Sequence, residues 1–167
     1  MPSPLTYSRL QEFFRYDPIT GKFTRIKATT GRGVHTGVFV GSCRPNGYEY
    51  VSFGKRSYSA HRLAWLWMTG AWPKSDIDHI NRDKSDNRFS NLREATKSEN
   101  KANVGRYANN TSGHKGVHWN AKNQKWMAQI MVRRKRIYLG LHLDLADAAS
   151  SYASAASKYF GEYARAE

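Results

Sequence analysis

Turn signals punctuate this chain at short intervals, which limits it to short strands and small helices until residue 145. In RYDPITGKFTRI (15–26), alternating aromatic residues flank Asp17-Pro18 and Thr20-Gly21, a hairpin signal. Gly54-Lys55 separates GYEYVSF from RSYSA in a second hairpin. Past residue 113, HKGVHWN, KWMAQIMV and KRIYLGLH are three strand-like runs joined by short turns. Between Gly31 and Gly41 the glycines and polar residues suggest a loop or an edge strand. LTYSRLQEFF (5–14) reads as a short helix with Leu5, Leu10, Phe13 and Phe14 as its apolar face and Thr6 as cap. HRLAWLWMTG (61–70) is helical too: Leu63-Trp67 and Ala64-Met68 are spaced four apart, and Gly70 stands where a stop belongs. A long helix is expected only from Leu145, after Asp144, to Phe160, with Gly161 as its stop. Its stripe of Ala148, Tyr152, Ala156 and Tyr159/Phe160 has helical period and suits packing on a sheet. Short hairpins with separate helices predict the α+β class. The polar, turn-rich residues 105–113 predict two modules, 1–107 and 108–167.

Charge narrows the partners. The chain of 167 residues has 27 Lys and Arg against 13 Asp and Glu, a net +14. The excess is spread: residues 1–107 carry 18 basic and 9 acidic side chains, and residues 108–167 carry 9 and 4. Both modules should be drawn to a polyanion, and nucleic acid is the commonest. Cys43 is the only cysteine, so neither an internal disulfide nor a zinc site of cysteine pairs can form. The start MPSPLTYSRL has neither a basic n-region nor an apolar core, so no signal peptide is expected. No apolar run approaches the roughly 20 residues of a bilayer span. The expectation is a protein of the cytoplasm with no membrane contact.

The segment from Asp78 to Asn100 is rich in asparagine and poor in large apolar residues. Ile77–Ile80 suits a short strand, 81–90 are turn formers, and Leu92-Arg93 can return as a second strand. TKSE is a capping box, with Thr96 as cap and Glu99 three residues on, so a helix should begin near Lys97. Two strands and a helix would bring Asp78, His79, Asn91 and Asn100 together. These residue types suit metal-assisted phosphodiester hydrolysis. A hard divalent cation takes oxygen ligands, which Asp78 and Asn100 offer. An imidazole such as His79 can take a proton from water near neutral pH, and an amide such as Asn91 could orient it. One obstacle is geometric: adjacent residues on a regular strand point to opposite faces. Asp78 and His79 share a site only if the strand is irregular there. A capped, asparagine-rich loop without chemistry is the other reading of the same residues.

DHINRDKSDNRFSNLREATKSENKAN, preceded by AHRLAWLWMTGAWP, resembles the HNH homing-type endonucleases common in bacteriophages. YDPITGKF and NGYEYVSFGKRSYSAHR are similar to segments that accompany the motif, so the resemblance spans nearly all of residues 1–107. It implies a ββα-metal active site, in which Asp78 is the metal-binding aspartate and His79 the general base. Asn91 falls on the central asparagine and Asn100 on the last metal ligand. Many members have histidine at that last position. Asparagine here favours an oxygen-only site, for Mg²⁺ or Mn²⁺ rather than zinc. His61, beside Arg62, is read as a packing residue or phosphate contact; His114 and His142 are read as surface.

The segment SGHKGVHWN through KYFGEYA (112–164) resembles the APETALA-type (ethylene-response-factor-like) DNA-binding domain. That resemblance implies a three-stranded antiparallel sheet laid in the major groove and backed by one helix. Carried over by position, Lys115, His118, Asn120, Lys125, Gln129, Arg136 and Tyr138 would face DNA, while Trp126, Ala128, Ile130 and Leu139 would be core. His118 stands where arginine is usual, Gln129 where glutamate is, and Tyr138 where tryptophan is, so a relative's target sequence does not transfer. The combined expectation is a metal-dependent endonuclease acting on double-stranded DNA, phage-encoded and working in a bacterial cytoplasm. One HNH site per chain implies one strand cut per monomer, hence nicking unless the chain dimerises. The rival class is a non-catalytic, sequence-specific DNA-binding regulator.

Overall fold

Local rules account for most elements of the computed structural model, which is α+β and describes residues 5–28, 35–106 and 108–165. Thr6 caps the first helix α1 (Tyr7–Phe13), its Oγ1 accepting from the Arg9 amide at 3.3 Å. The chain leaves α1 directly into strand β1 (Phe14–Asp17), so Phe14 is a strand residue rather than the helix end expected from sequence. β1 pairs antiparallel with β2 (Lys22–Arg25), and the short edge strand β3 (Phe39–Val40) joins β2. Residues 31–34 of the glycine-bearing segment lie outside the described residues. A second sheet has the order β4 (Ser42–Cys43), β5 (Glu49–Phe53), β6 (Arg56–Ser59). Helix α2 (Ala60–Thr69) follows, and Gly70 closes it in the left-handed conformation at φ 75°. β7 (Asp76–His79) pairs with β8 (Leu92–Ala95) in a two-stranded sheet, with a 3-10 turn at Phe89–Asn91 between them.

The described residues divide into two compact units that meet in sequence between Glu94 and Ala95. In the first, Leu10, Phe13, Phe14, Phe23, Val51, Leu63, Leu66, Ile77 and Leu92 form one core. Phe13 and Phe14 meet Phe53 edge to face, at centroid distances of 5.0 and 5.7 Å. Trp65, Trp67 and Trp72 pack against this core. Trp72 stacks on Tyr58 and donates its indole N–H to the Leu5 carbonyl at 3.0 Å. Gly21, at φ 72°, lets the β1–β2 turn press on the backbone of residues 87 and 88, where a Cβ would stand 2.5 Å from the Arg88 nitrogen.

The second unit opens with α3 (Lys97–Asn103), which carries the capping box read from the sequence: Thr96 Oγ1 accepts from the Glu99 amide, and Glu99 returns to the Thr96 amide at 2.7 Å. The sequence put a division at 107/108. The observed one lies earlier because α3 is built into the C-terminal core. Ala102 is buried with Val117, Ala128 and Tyr152, Arg165 donates to Asn103, and Lys115 donates to the carbonyls of Ala102 and Val104 at 2.6 Å. Strands β9 (Val117–Asn120), β10 (Lys125–Val132) and β11 (Lys135–His142) form an antiparallel sheet of order β11-β10-β9. Helix α4 (Leu145–Phe160) packs its stripe of Ala148, Tyr152, Ala155, Ala156 and Phe160 on one face; Tyr159 is exposed.

Alanines on α4 allow close approach, and Gly116 completes it. At φ 69°, a Cβ there would collide with the Tyr152 ring and the Gln129 carbonyl. Gly116→Ala combines a backbone penalty with an overlap that backbone and a buried ring cannot yield, so it should destabilise the C-terminal unit by about 2–3 kcal/mol. Urea unfolding followed by Trp119 and Trp126 fluorescence checks this; an unchanged midpoint would show that the turn relaxes freely.

Candidate active site and nucleic-acid face

Asparagine side chains build the loop that follows β7. Asn91 Nδ2 donates to Asn81 Oδ1 and to the Asp86 carbonyl, both at 2.9 Å, while its Oδ1 accepts from the Asn81 amide at 3.0 Å. Asn81 also reaches Asp86 Oδ2 at 2.8 Å. Asp83 caps Ser85 through backbone and hydroxyl. The guanidinium of Arg88, forked on Asp86 at 2.6 and 2.8 Å, holds that carboxyl down to about 2. Arg82 takes a left-handed conformation, φ 68°, its amide bonded to the His79 carbonyl at 2.9 Å. The segment is thus a fixed polar frame between two short strands.

Asp78 and His79 end β7 on that frame, 5% and 4% exposed. They engage different partners, as neighbours on a strand should. Asp78 Oδ2 meets Nε and Nη2 of Arg93 on β8, both at 2.9 Å, so a buried carboxylate is balanced by a partly buried guanidinium. The His79 ring lies against the rings of His61 and Tyr48, at centroid distances of 5.1 and 5.9 Å. Its Nε2 stands 3.4 Å from Asn87 Oδ1. Burial lowers the His79 pKa below its usual 6.5, opposed by the Asn87 bond and by Asp78, so the ring is neutral at pH 7. The same cause takes His61 to about 3. His61 is 8% exposed, with Nδ1 unpartnered among the described residues, which fits the packing role expected of it.

Asn91 does not orient His79: its amide is spent on the loop backbone, and Asn87 is the amide at the imidazole. Asn100 lies in α3, its amide bonded to the Thr96 carbonyl at 2.9 Å, in the second unit. Asn87, Arg93, Glu49 and Tyr48 surround the site, and the sequence reading missed all four. Asn87 looked like one more turn former. No local pattern shows that its side chain turns inward. Among the described residues, no group of three or more His, Cys, Asp and Glu side chains is placed to hold a metal.

In the C-terminal sheet, register sorts the residues expected at DNA. Val117 pairs with Ala128 and Trp119 with Trp126, which puts these on the α4 side, while His118 pairs with Met127 and Asn120 with Lys125. Across β11, Gln129 pairs with Tyr138 and Met131 with Arg136 after a bulge at Ala128/Gln129. Ile130 and Ile137 face α4. The face away from α4 therefore carries His118, Asn120, Lys125, Gln129, Arg136 and Tyr138, six of the seven residues expected there, together with Met127 and Met131. Lys115 is the exception. Its ammonium lies on the carbonyls that end α3, a helix C-terminus that attracts a cation. Asn120 also closes the next turn, accepting from the Asn123 amide at 3.1 Å. At the β10–β11 hairpin tip, Arg133 and Arg134 adopt φ 46° and 66°, conformations usually left to Asn-Gly, and so place two guanidinium groups where the turn alone would not choose them.

Residues 58–102 match the family model for HNH endonucleases, a span from β6 to α3 that contains His61, Asp78, His79, Asn87, Asn91 and Asn100. The match makes this part of the chain a nuclease domain, for which DNA is the implied substrate. Among curated proteins, the chain is similar to protein 3.8 of Escherichia phage T7, 33% identical over 86 residues that cover 49% of this chain and 71% of the relative. With that much of the relative covered, and the buried aspartate-histidine pair inside the span that matches the family model, the chain belongs to the family of protein 3.8 and carries an HNH endonuclease domain.

Proposed function

We propose that the chain is a homing-type, phage-encoded DNA endonuclease that uses His79 as general base and nicks duplex DNA at a site chosen by its C-terminal unit. The observation that carries this reading is the buried, neutral His79 beside Asp78, the histidine of the matched domain that is backed by a side-chain amide. His79 takes the proton from the attacking water. Asp78 and Asn100 are the oxygen donors that the reading gives to Mg²⁺ or Mn²⁺. Their chemistry fits a hard cation, and Asp78 already stands where a positive group, the Arg93 guanidinium, balances it. When bound, such a cation stabilises charge on the phosphate and on the leaving 3′ oxygen. Asn91 supports the loop that presents both β7 residues. The reading places this action on DNA in the host cytoplasm. No helix among the described residues is long and apolar enough to cross a membrane.

The C-terminal unit, of residues 108–167 in the sequence reading, is the reader, in the manner of an APETALA-type domain. Its support is the single open face on which His118, Asn120, Lys125, Gln129, Arg136 and Tyr138 gather. Arg136 can fork onto guanine, and Gln129 offers an amide suited to adenine. Phosphate contacts spread over the rest of the basic surface position the protein without reading sequence. Incubation of supercoiled plasmid with the full chain and Mg²⁺ tests the catalytic half: nicked circles are expected, and intact plasmid under all divalent cations would favour the non-catalytic regulator. Arg136→Ala tests the reading half. It should weaken binding at a selected site by about 1–3 kcal/mol and binding to scrambled duplex by less. Equal loss on both duplexes would make Arg136 a phosphate contact only.

A further inference from the structure

Asn87 is 1% exposed, and its side chain is oriented by groups that permit one arrangement. One side of the amide lies 2.9 Å from Glu49 Oε2 and 3.1 Å from the Ser85 carbonyl. Glu49 is ion-paired to Lys22 at 3.2 Å, so it is a carboxylate. Neither a carboxylate nor a carbonyl can donate a hydrogen bond, so the NH₂ group must face them. The amide oxygen is left facing Nε2 of His79. An oxygen acceptor at Nε2 requires that nitrogen to hold the proton, and in a neutral imidazole the lone pair then sits on Nδ1. Two further contacts fix the backbone of Asn87: its carbonyl accepts from the Tyr16 hydroxyl at 2.7 Å, and the Gly21 turn presses on it. The 3.4 Å separation is long, as catalytic hydrogen bonds often are before substrate arrives.

We propose that Asn87 is the positioning residue of the active site: held by Glu49 of the neighbouring sheet, it locks His79 as the Nε2–H tautomer, so that Nδ1 is the nitrogen that accepts the proton from water. This rests on the reading of His79 as general base and adds which nitrogen acts and what selects it. It also gives the N-terminal hairpins a part in the chemistry, because Glu49 and Lys22 belong to β5 and β2. Loss of Glu49 frees the amide to turn over and present NH₂ to the imidazole, which favours the other tautomer.

Long-range proton–nitrogen spectra of the full chain, metal-free and labelled at the histidine ring nitrogens, read the tautomer directly, with His79→Ala assigning the signals. The wild type should show a protonated Nε2 and a lone-pair Nδ1 at His79. Asn87→Leu and Glu49→Leu should each give mixed or inverted tautomers and lower kcat on supercoiled plasmid by about 10–100-fold, the range for lost supporting partners, with KM for DNA nearly unchanged. Glu49→Gln, which keeps an oxygen for the amide, should restore most of the rate. A residue that merely supports folding would change none of the ring signals. An Nδ1–H imidazole in the wild type overturns the inference whatever the variants do, as does a folded Glu49→Leu with native tautomer and rate. If Asn87→Leu fails to fold, the wild-type spectrum and the Glu49 variants decide. Full cleavage by His79→Ala would instead sink the general-base reading, whereas its loss with an Nδ1–H ring sinks only the role of Asn87.

Discussion

His79→Ala lowers plasmid cleavage by at least about 100-fold, the low end for removal of a general base, and leaves DNA binding nearly unchanged. The expectation follows from where the side chain stands. It is 4% exposed, so it offers little surface to DNA phosphates, and its burial keeps it uncharged at pH 7. A neutral group adds nothing to the electrostatic affinity of a basic protein for duplex. The ring is wedged between His61 and Tyr48, so truncation also leaves a cavity, and the variant is to be checked for native unfolding before rates are compared. Gel-shift titration and plasmid nicking on the same preparation separate the outcomes. Parallel loss of binding and cleavage in a folded variant would make His79 a structural residue.

Asp78→Ala carries the second large effect, because it acts on chemistry and stability together. Turnover should vanish along with the carboxylate, just as chelator should abolish it in the wild type. Asn100→Ala should likewise fail to keep normal turnover. Asp78 is also half of a buried ion pair with Arg93, whose side chain is 12% exposed. Removing one partner of a buried ion pair typically costs about 3–5 kcal/mol. Asp78→Ala should therefore be markedly destabilised, and so should Arg93→Ala. The double variant Asp78→Ala/Arg93→Ala should recover part of that stability, since both charges of the pair are then gone, yet remain inactive. Urea denaturation of the four proteins measures the coupling, and cleavage assays follow the chemistry. Full activity in excess chelator, or an active Asp78→Ala, would refute the oxygen-ligand site as drawn.

The α+β class, the two N-terminal hairpins and the three C-terminal strands were legible in the sequence because each depends on neighbours along the chain. Turn pairs such as Gly54-Lys55 and the Thr96–Glu99 capping box act within four residues, and period-two and helical patterns record which face of an element is buried. The short strand that ends in Asp78 and His79 was legible as well, through the apolar flanks of Ile77 and Ile80. The open face of the sheet follows from alternation once strands are known, which is why six of the seven residues expected there share it. What tertiary structure decided was the partner of each polar side chain. Asn87 and Asn91 are the same residue four positions apart in one loop, yet Asn87 turns inward to His79 and Glu49 while Asn91 binds backbone. Lys115 was expected to face DNA, but the end of α3, more than ten residues earlier, supplies carbonyls for its ammonium. That α3 is buried with the second core was equally out of reach, since seven residues with a capping box could cover either apolar surface. Periodicity tells an element which side to bury. A buried polar group, however, must find its complement across the fold or bear the cost of desolvation, and that complement is written nowhere near it in the chain.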